Sequence, residues 1–359
     1  MKAVVNREEF VNVLVKVSSV ISGRNVMPIT SCVLLEADDR LKLVATNLEA
    51  AVIGYCNAAV QEKGSVALDP KVLLNFLTIG GGSVAISSPL IRECAIETDS
   101  GKLTMRVSRG GKDDFPPVPK VEGVSLTLTG LKQAISDVEV GQATEDSRPV
   151  LAGIAMAPQP HGIDLVSADG FRLIVRRLSL DTDAILPRMI MIPRQTVRLL
   201  KNLVGEQTVL TIGTEAGSRY ASFESNGLTV ITNLTQGNYP IYNGLIPGSF
   251  AYHLTVDASR LAEAIKACGQ STDHIVRLQT VEEGMLTIRA HDDDDNAVEL
   301  KLPSHGQIKI AANQRYLLDL LAPLSGEIDI MTNTPSSPFT VQSERLTHVV
   351  MPMFVQWEE

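Results

Sequence analysis

Apolar positions along this chain repeat with two periods, one helical and one extended, in regular alternation. Six stretches carry apolar residues at spacings of three and four, which predicts amphipathic helices. They begin near Arg7 (REEFVNVLVKVSSV), Pro70 (PKVLLNFLTIG), Thr129 (TGLKQAISDVEV), Pro193 (PRQTVRLLKNLV), Asp257 (DASRLAEAIKAC) and Asn313 (NQRYLLDLLAPL). Their starts recur about every 60 residues. Pro70 and Pro193 suit a first helical turn, where a missing N–H costs no hydrogen bond. Asp257 and Asn313 are N-cap types, able to accept from the free amides of a first turn. Between the helices, alternation predicts strands, with turns marked at Asp38-Asp39, Gly162, Asn226-Gly227 and Glu283-Gly284.

The stretch from Ile163 to Leu173, IDLVSADGFRL, reads as a β-hairpin: an alternating strand, an Asp169-Gly170 turn, and a resumed strand from Phe171. Its pattern recurs as LKLVATN at Leu41 to Asn47 and as LTIRAHD at Leu286 to Asp292. Intervals of about 120 residues are far beyond the roughly 20–50 of a solenoid, so they predict three homologous domains. Each would be a double unit of helix, strands, helix, strands. Two Pro-rich joints divide them, DDFPPVPKVEG (Asp113 to Gly123) and GNYPIYNGLIPG (Gly237 to Gly248). Both put an aromatic before Pro, which favours extended chain, and Pro-rich segments make stiff spacers. The expected domains are 1–119, 120–246 and 247–359, each α+β with two helices packed on antiparallel sheets.

Length and composition fit this picture: 359 residues, 44% hydrophobic and 20% charged, suffice for several cores. Aromatics are only 4%, so the cores must be built from Val, Leu, Ile and Ala. No apolar run approaches the roughly 18 residues of a membrane span. MKAVVNREEF lacks a signal-peptide pattern, so a cytoplasmic location with no membrane partner is expected. Cys32, Cys56, Cys94 and Cys268 show no CxxC spacing and read as buried free thiols.

Catalytic patterns are missing. There is no GxxxxGK[ST] loop, GxSxG elbow or HExxH helix, and Gly80-Gly81-Gly82-Ser83 follows a helix instead of opening one. His161, His253, His274, His291, His305 and His348 lie scattered. His291 with Asp292 to Asp295 could hold a divalent cation, but an acidic hairpin tip is the favoured reading. No enzyme activity, metal or cofactor is expected.

A net charge of −9 argues at first against a nucleic-acid partner. The charge is unevenly spread, however. The six helical stretches carry ten Lys and Arg against seven Asp and Glu, so the rest of the chain is more acidic than the average. The stretch from Pro193 has Arg194, Arg198 and Lys201 and no acid. Solvated helix faces would explain this; so would a basic helical surface facing a polyanion, a reading that the sixfold recurrence favours.

Four motifs then point one way: SGRNVMPITSCVLLEA (Ser22 to Ala37), VSADGFRL (Val166 to Leu173), the Tyr239-Pro240 joint and VVMPM (Val349 to Met353). On these, and essentially end to end, the chain resembles the bacterial-type DNA polymerase III β subunit, the sliding clamp family. The resemblance implies a head-to-tail homodimeric ring of six similar domains, with helices lining the hole and sheets outside. It implies a processivity factor that encircles duplex DNA without reading its sequence. The implied partners are that DNA, a clamp loader, the replicative polymerase and other proteins with clamp-binding motifs. By position in the motifs, Arg24 and Arg194 correspond to DNA-contacting residues, with Arg148 a further candidate beside Arg198 and Lys201. The implied partner-peptide cleft comprises Leu151, Ala168, Gly170, Phe171, Arg172, Leu173, Pro240, Leu245, Val349, Val350, Met351, Pro352 and Met353. The implied dimer contact joins Met105 and Val107 to the segment from Ala267, including Gln270 and Ser271. The chain departs from the family pattern at Phe171, Gly244 and Phe354 and runs on as VQWEE, positions that bear on peptide preference. Trp357, four residues past Met353, is expected near enough to report docking. A β-rich peptide- or carbohydrate-binding module without a DNA role is the competing reading; a degenerate hydrolase is a third.

Overall fold

The computed structural model describes residues 1–21, 27–90, 93–107, 112–144, 148–180, 185–213, 218–268, 274–291 and 297–357. Six α-helices stand where periodicity predicts them: α1 (Arg7–Ser18), α2 (Pro70–Phe76), α3 (Leu131–Val138), α4 (Arg194–Leu203), α5 (Ala258–Ala267) and α6 (Gln314–Leu321). Their starts are chemically marked. Asn6, Asp69, Asp257 and Asn313 each accept a first-turn amide through the side chain. Pro70 fills the first turn of α2 as expected, but Pro193 sits one residue earlier than expected, at the N-cap of α4 with no side-chain bond. Its extended ψ of 149° makes it the last residue of the incoming chain instead of the first of the helix.

The element order repeats three times, giving an α+β fold with antiparallel sheets. Each repeat opens on a strand and a helix: Lys2–Asn6 with α1, Gly123–Thr129 with α3, Tyr252–Asp257 with α5. Each closes on a second helix and three strands, which end at Gly101–Arg106, Leu228–Asn233 and Leu346–Val350. The recurrent motif supplies the middle strand of a three-strand run every time: Leu41–Thr46, Gly162–Ala168 and Met285–His291.

By compactness the chain forms two units. One comprises Met1–Lys132, Thr182–Pro187 and Ile192–Thr235; the other comprises Gln133–Asp181, Arg188–Met191 and Gln236–Glu359. The first unit holds a five-stranded and an eight-stranded sheet. In the larger one, Ala50–Cys56 of the first repeat pairs with Leu228–Asn233 of the second, Thr232 opposite Ala50. The second unit holds a nine-stranded and a four-stranded sheet. There Arg172–Ser179 of the second repeat pairs with Leu346–Val350 of the third, Val350 opposite Arg172. Strands thus cross from one repeat to the next without an exposed seam. Gly101–Arg106 and Ala297–Pro303 are two of the eight edge strands of these sheets among the described residues.

Gly162–Ala168 is buried on both faces, and the alternation shows how. Ser167 donates to the Val138 carbonyl at the end of α3, while Val166, on the other face, packs with Tyr242, Met191 and Val349. The Pro-rich joints are correspondingly not free spacers. Phe115 is buried with Ile29, Leu34 and Val44, and Val118 packs on that cluster. Tyr242 is buried with Leu173 and Val349, against which Tyr239 and Ile246 also pack. Proline keeps these segments extended, and their interleaved aromatics bury enough apolar surface to hold them down. All four cysteines are buried and none forms a disulfide. The segment Asp292 to Asp295 lies outside the described residues.

The caps yield a direct expectation. Asp257→Ala and Asn313→Ala should each lower unfolding free energy by about 1 kcal/mol, as loss of an N-cap usually does. Urea denaturation followed by circular dichroism measures it, and no change in either variant would show that water replaces the caps without cost.

Candidate functional site

The hairpin turn is built by one carboxylate. Asp169 Oδ1 accepts from the amides of Phe171 (2.9 Å) and Arg172 (3.0 Å), which curls the chain. Gly170 occupies φ +94°, where a side chain would be strained. Phe171 is left 62% exposed at the tip, and its carbonyl accepts from Met351 N at 2.8 Å. That bond places Met351 beside the turn. Arg172 turns inward and is buried: Nε meets Asp169 Oδ2 at 3.0 Å, Nη1 meets Asp319 Oδ2 at 2.6 Å, and Nη2 donates to the Val140 carbonyl. Its guanidinium lies 4.3 Å from the ring centroid of Tyr316.

Beside this turn an apolar floor and an exposed rim meet. Leu173 and Val349 are buried in one cluster, with Ala168 and Val150 packed against it; Leu151 and Val350 are buried too. Pro352 is buried, whereas Met351 and Met353 on either side of it are exposed. Val349 and Val350 therefore belong to a central strand, and only Met351 to Met353 are presented beyond its end. The second joint packs on the same cluster through Tyr242, Tyr239 and Ile246. Pro240 and Leu245 are exposed, and Ile241 is 86% exposed. Tyr242 anchors this wall: its hydroxyl donates to Asp164 Oδ2 (2.9 Å) and accepts from Gln159 Nε2 (2.9 Å), while Arg177 Nε pairs with Asp164 Oδ1 at 2.6 Å. Burial first, then the Asp164 carboxylate, pushes the Tyr242 hydroxyl up to about 12, so it stays a donor.

All thirteen sequence-identified cleft positions fall in the second unit; Ala168, Leu173 and Val349 share one apolar cluster, and Val350 is buried in another. Exposed large apolar side chains concentrated like this are the usual mark of an interaction site. A cavity of about 480 Å³ adjoins the turn, lined by Ala143, Thr144, Arg148, Asp169, Gly170, Phe171 and Tyr316. Arg148 is thereby placed beside Gly170 at the cavity. Sequence reasoning missed Tyr316, Asp319, Asp164 and Ile241. An exposed apolar residue between Pro240 and Tyr242 was a weak signal; Tyr316 and Asp319, three apart on α6, gave none.

Three basic residues lie on α4 in the first unit, Arg198 exposed and Arg194 and Lys201 half-buried. Arg194, Arg198 and Lys201 recur at helical spacing on α4, while Thr196, Val197, Leu200 and Leu203 are buried. Thr196 Oγ1 meets Thr232 Oγ1 at 2.7 Å, fixing the inward face and so the direction of the outward one. Arg24 lies outside the described residues, as do Gln270 and Ser271. Met105 is buried on the outermost strand Gly101–Arg106, and Val107 follows it, half-buried. Trp357 packs its ring over Lys309, whose ammonium lies 4.9 Å from the centroid, on the strand Lys309–Asn313. Among the described residues no group of three or more His, Cys, Asp or Glu is arranged to hold a metal, and no helix is long and apolar enough to cross a membrane.

Comparison with known proteins extends this geometry to a family. Residues 1–105, 125–241 and 243–354 match the models of the N-terminal, central and C-terminal domains of the DNA polymerase III beta subunit. This chain belongs to the DNA polymerase III beta subunit family. Its curated relatives include the "Beta sliding clamp" of Synechococcus elongatus, 25% identical over 98% of this chain and 99% of that one. That of Streptomyces coelicolor is 25% identical over 96% and 94%. Solved structures share the fold. The DNA polymerase III subunit beta of Pseudomonas aeruginosa superposes with a TM-score of 0.90 at 21% identity, over 99% of this chain and all of that one. The DNA polymerase sliding clamp of Bacillus subtilis gives 0.91 at 18%, over the same shares. The family is non-catalytic, a processivity factor of the polymerase.

One buried group near the cleft ties stability to pH. His348 is buried between Arg172–Ser179 and Phe339–Gln342 in the sheet, and its Nε2 meets no protein partner. Burial first, then the Arg172 charge, pushes the imidazole down to about 3. The unfolded chain takes up this proton below about 6.5, and the folded chain does not. The contribution is therefore full above that pH and is lost as pH falls towards 3, at up to about 1.4 kcal/mol per pH unit. His348→Leu should flatten the pH dependence of urea unfolding between about pH 7 and 4 relative to the parent. Identical slopes would show that His348 is protonated in the folded chain.

Proposed function

We propose that two copies of this chain close head to tail into a ring around duplex DNA and tether replication proteins through the cleft at Phe171 and Met351. The observation that carries this reading is the bond from Met351 N to the Phe171 carbonyl, beside a buried apolar cluster of Leu173 and Val349; this supports a site for extended peptide. The proposed domains are 1–119, 120–246 and 247–359. Two of the edge strands, Gly101–Arg106 and Ala297–Pro303, lie one in each unit, where head-to-tail closure could pair them. Unpaired strand edges invite pairing with another chain, and a head-to-tail contact closes a ring only when its rotation permits. Met105 and Val107 on one copy would meet Gln270 and Ser271 on the other.

Arg24, Arg148, Arg194, Arg198 and Lys201 would meet phosphates, giving attraction that depends on salt and not on sequence. The partners are the clamp loader, the replicative polymerase and other proteins with clamp-binding motifs. Their peptides would each place apolar anchors in the cleft, and full burial of one anchor contributes roughly 1.5–3 kcal/mol before ordering costs. Two anchors supply about 3–6 kcal/mol, so further contacts are needed for micromolar binding of partners that exchange. A cytoplasmic site of action follows from this role.

Sedimentation should give a single species near twice 38.7 kDa, retained on closed circular DNA and lost when the circle is cut. Arg194→Ala with Arg198→Ala and Lys201→Ala should weaken DNA association and reduce the salt slope by about 0.9 per lost phosphate contact. Equal retention on cut circles would mean that DNA is not encircled. For the cleft, Leu173→Ala and Met353→Ala should each weaken a QLxLF-type peptide in calorimetry. Undiminished affinity in both would place the peptide elsewhere.

A further inference from the structure

We propose that Asp319 is a positioning residue of the peptide cleft: from α6 it fixes the Arg172 guanidinium, and through it the Asp169–Phe171 turn. This rests on the reading of the cleft as a peptide site. Arg172 spends Nε, Nη1 and Nη2 on three different segments, namely Asp169 in the turn, Asp319 on α6 and the Val140 carbonyl. Tyr316, one helical turn before Asp319, lies against its guanidinium. Asp319 does not line the cavity beside the turn, whereas Gly170, Phe171 and Tyr316 do. It acts on the cleft through Arg172.

The molecule contains its own control. At Asn47–Ala50 the first repeat makes the same turn. Asn47 Oδ1 accepts from Glu49 N (3.0 Å) and Ala50 N (2.8 Å), and Leu48 takes φ +76° where Gly170 takes +94°. Asn233 N donates to the Glu49 carbonyl at 2.8 Å, as Met351 N does to Phe171 at 2.8 Å. Ala50 stands where Arg172 stands, opposite Thr232 as Arg172 is opposite Val350. The turn therefore folds without a guanidinium. What Arg172 and Asp319 add at the cleft is a tie between the turn and α6, two elements that contribute Phe171 and Tyr316 to one cavity. A turn held in place spares an incoming peptide the cost of ordering it.

The test uses the full chain and a fluorescein-labelled Gln-Leu-Ser-Leu-Phe peptide, with Kd read by polarisation. Asp319→Ala should raise Kd about ten-fold, equivalent to about 1.4 kcal/mol. Asp319→Asn, which keeps an acceptor towards Nη1, should recover to within about three-fold of the parent. Amide exchange in the same proteins separates positioning from general loosening. Asp319→Ala should speed exchange at Met351 and leave Asn233, its counterpart at the other turn, unchanged. An unchanged Kd, or acceleration at both amides alike, overturns the proposal. If the parent itself fails to bind the peptide, the cleft reading falls, while the exchange arm still decides whether Asp319 holds the turn.

Discussion

Strand pairing across the repeat boundaries is the constraint on which the rest depends. Backbone groups at the edge of a buried sheet must find partners, and here the last strand of one repeat supplies them to the fourth strand of the repeat before it. In the second unit that pairing runs Leu346–Val350 along Arg172–Ser179 and ends with Met351 N on the Phe171 carbonyl. The chain beyond the strand is thereby delivered to the hairpin turn. A cleft forms because the ladder stops there while the apolar floor beneath continues through Leu173 and Val349 into the sheet.

The same backbone event occurs twice, and side chains decide what comes of it. Asn47 and Asp169 curl their turns alike, yet one turn carries Ala50 and the other Arg172. A buried guanidinium needs every donor met, so Arg172 draws Asp169, Asp319 and Val140 around itself. Tyr242 does the equivalent on the opposite wall, reaching Asp164 from an otherwise exposed segment. Polar anchoring lies beneath and exposed apolar surface above. The anchors fix shape, and Met351, Met353 and Phe171 supply contact area that adapts.

Charge follows a similar separation. A chain of net charge −9 suits a polyanion only if its cations are gathered, and α4 gathers Arg194, Arg198 and Lys201 on the face turned away from Thr196 and Leu200. The inward face of that helix is fixed by packing, so its outward charge is a consequence of how the core is filled.

Much was legible in the sequence because it is local. The six helices, two of their caps (Asp257 and Asn313), the Asp169-Gly170 turn and the threefold recurrence follow from periodicity and turn chemistry within a few residues. The motif resemblance named thirteen cleft positions, of which Ala168, Leu173 and Val349 share one apolar cluster. Pro193 was misplaced by one residue because capping and first-turn positions differ only in backbone angles. The joints were misread as spacers because extended proline chain looks the same whether or not a tertiary pocket receives Phe115 or Tyr242. Asp319, Tyr316 and Asp164 were silent for a deeper reason. Each acts on a partner across the fold, Arg172 at a separation of 147 residues and Tyr242 at 78, and no local pattern records which side chain a buried charge or hydroxyl will meet. Sequence determined the elements and the turn, since those depend on neighbours along the chain; the tertiary structure alone decided which polar groups hold the cleft, since that depends on neighbours in space.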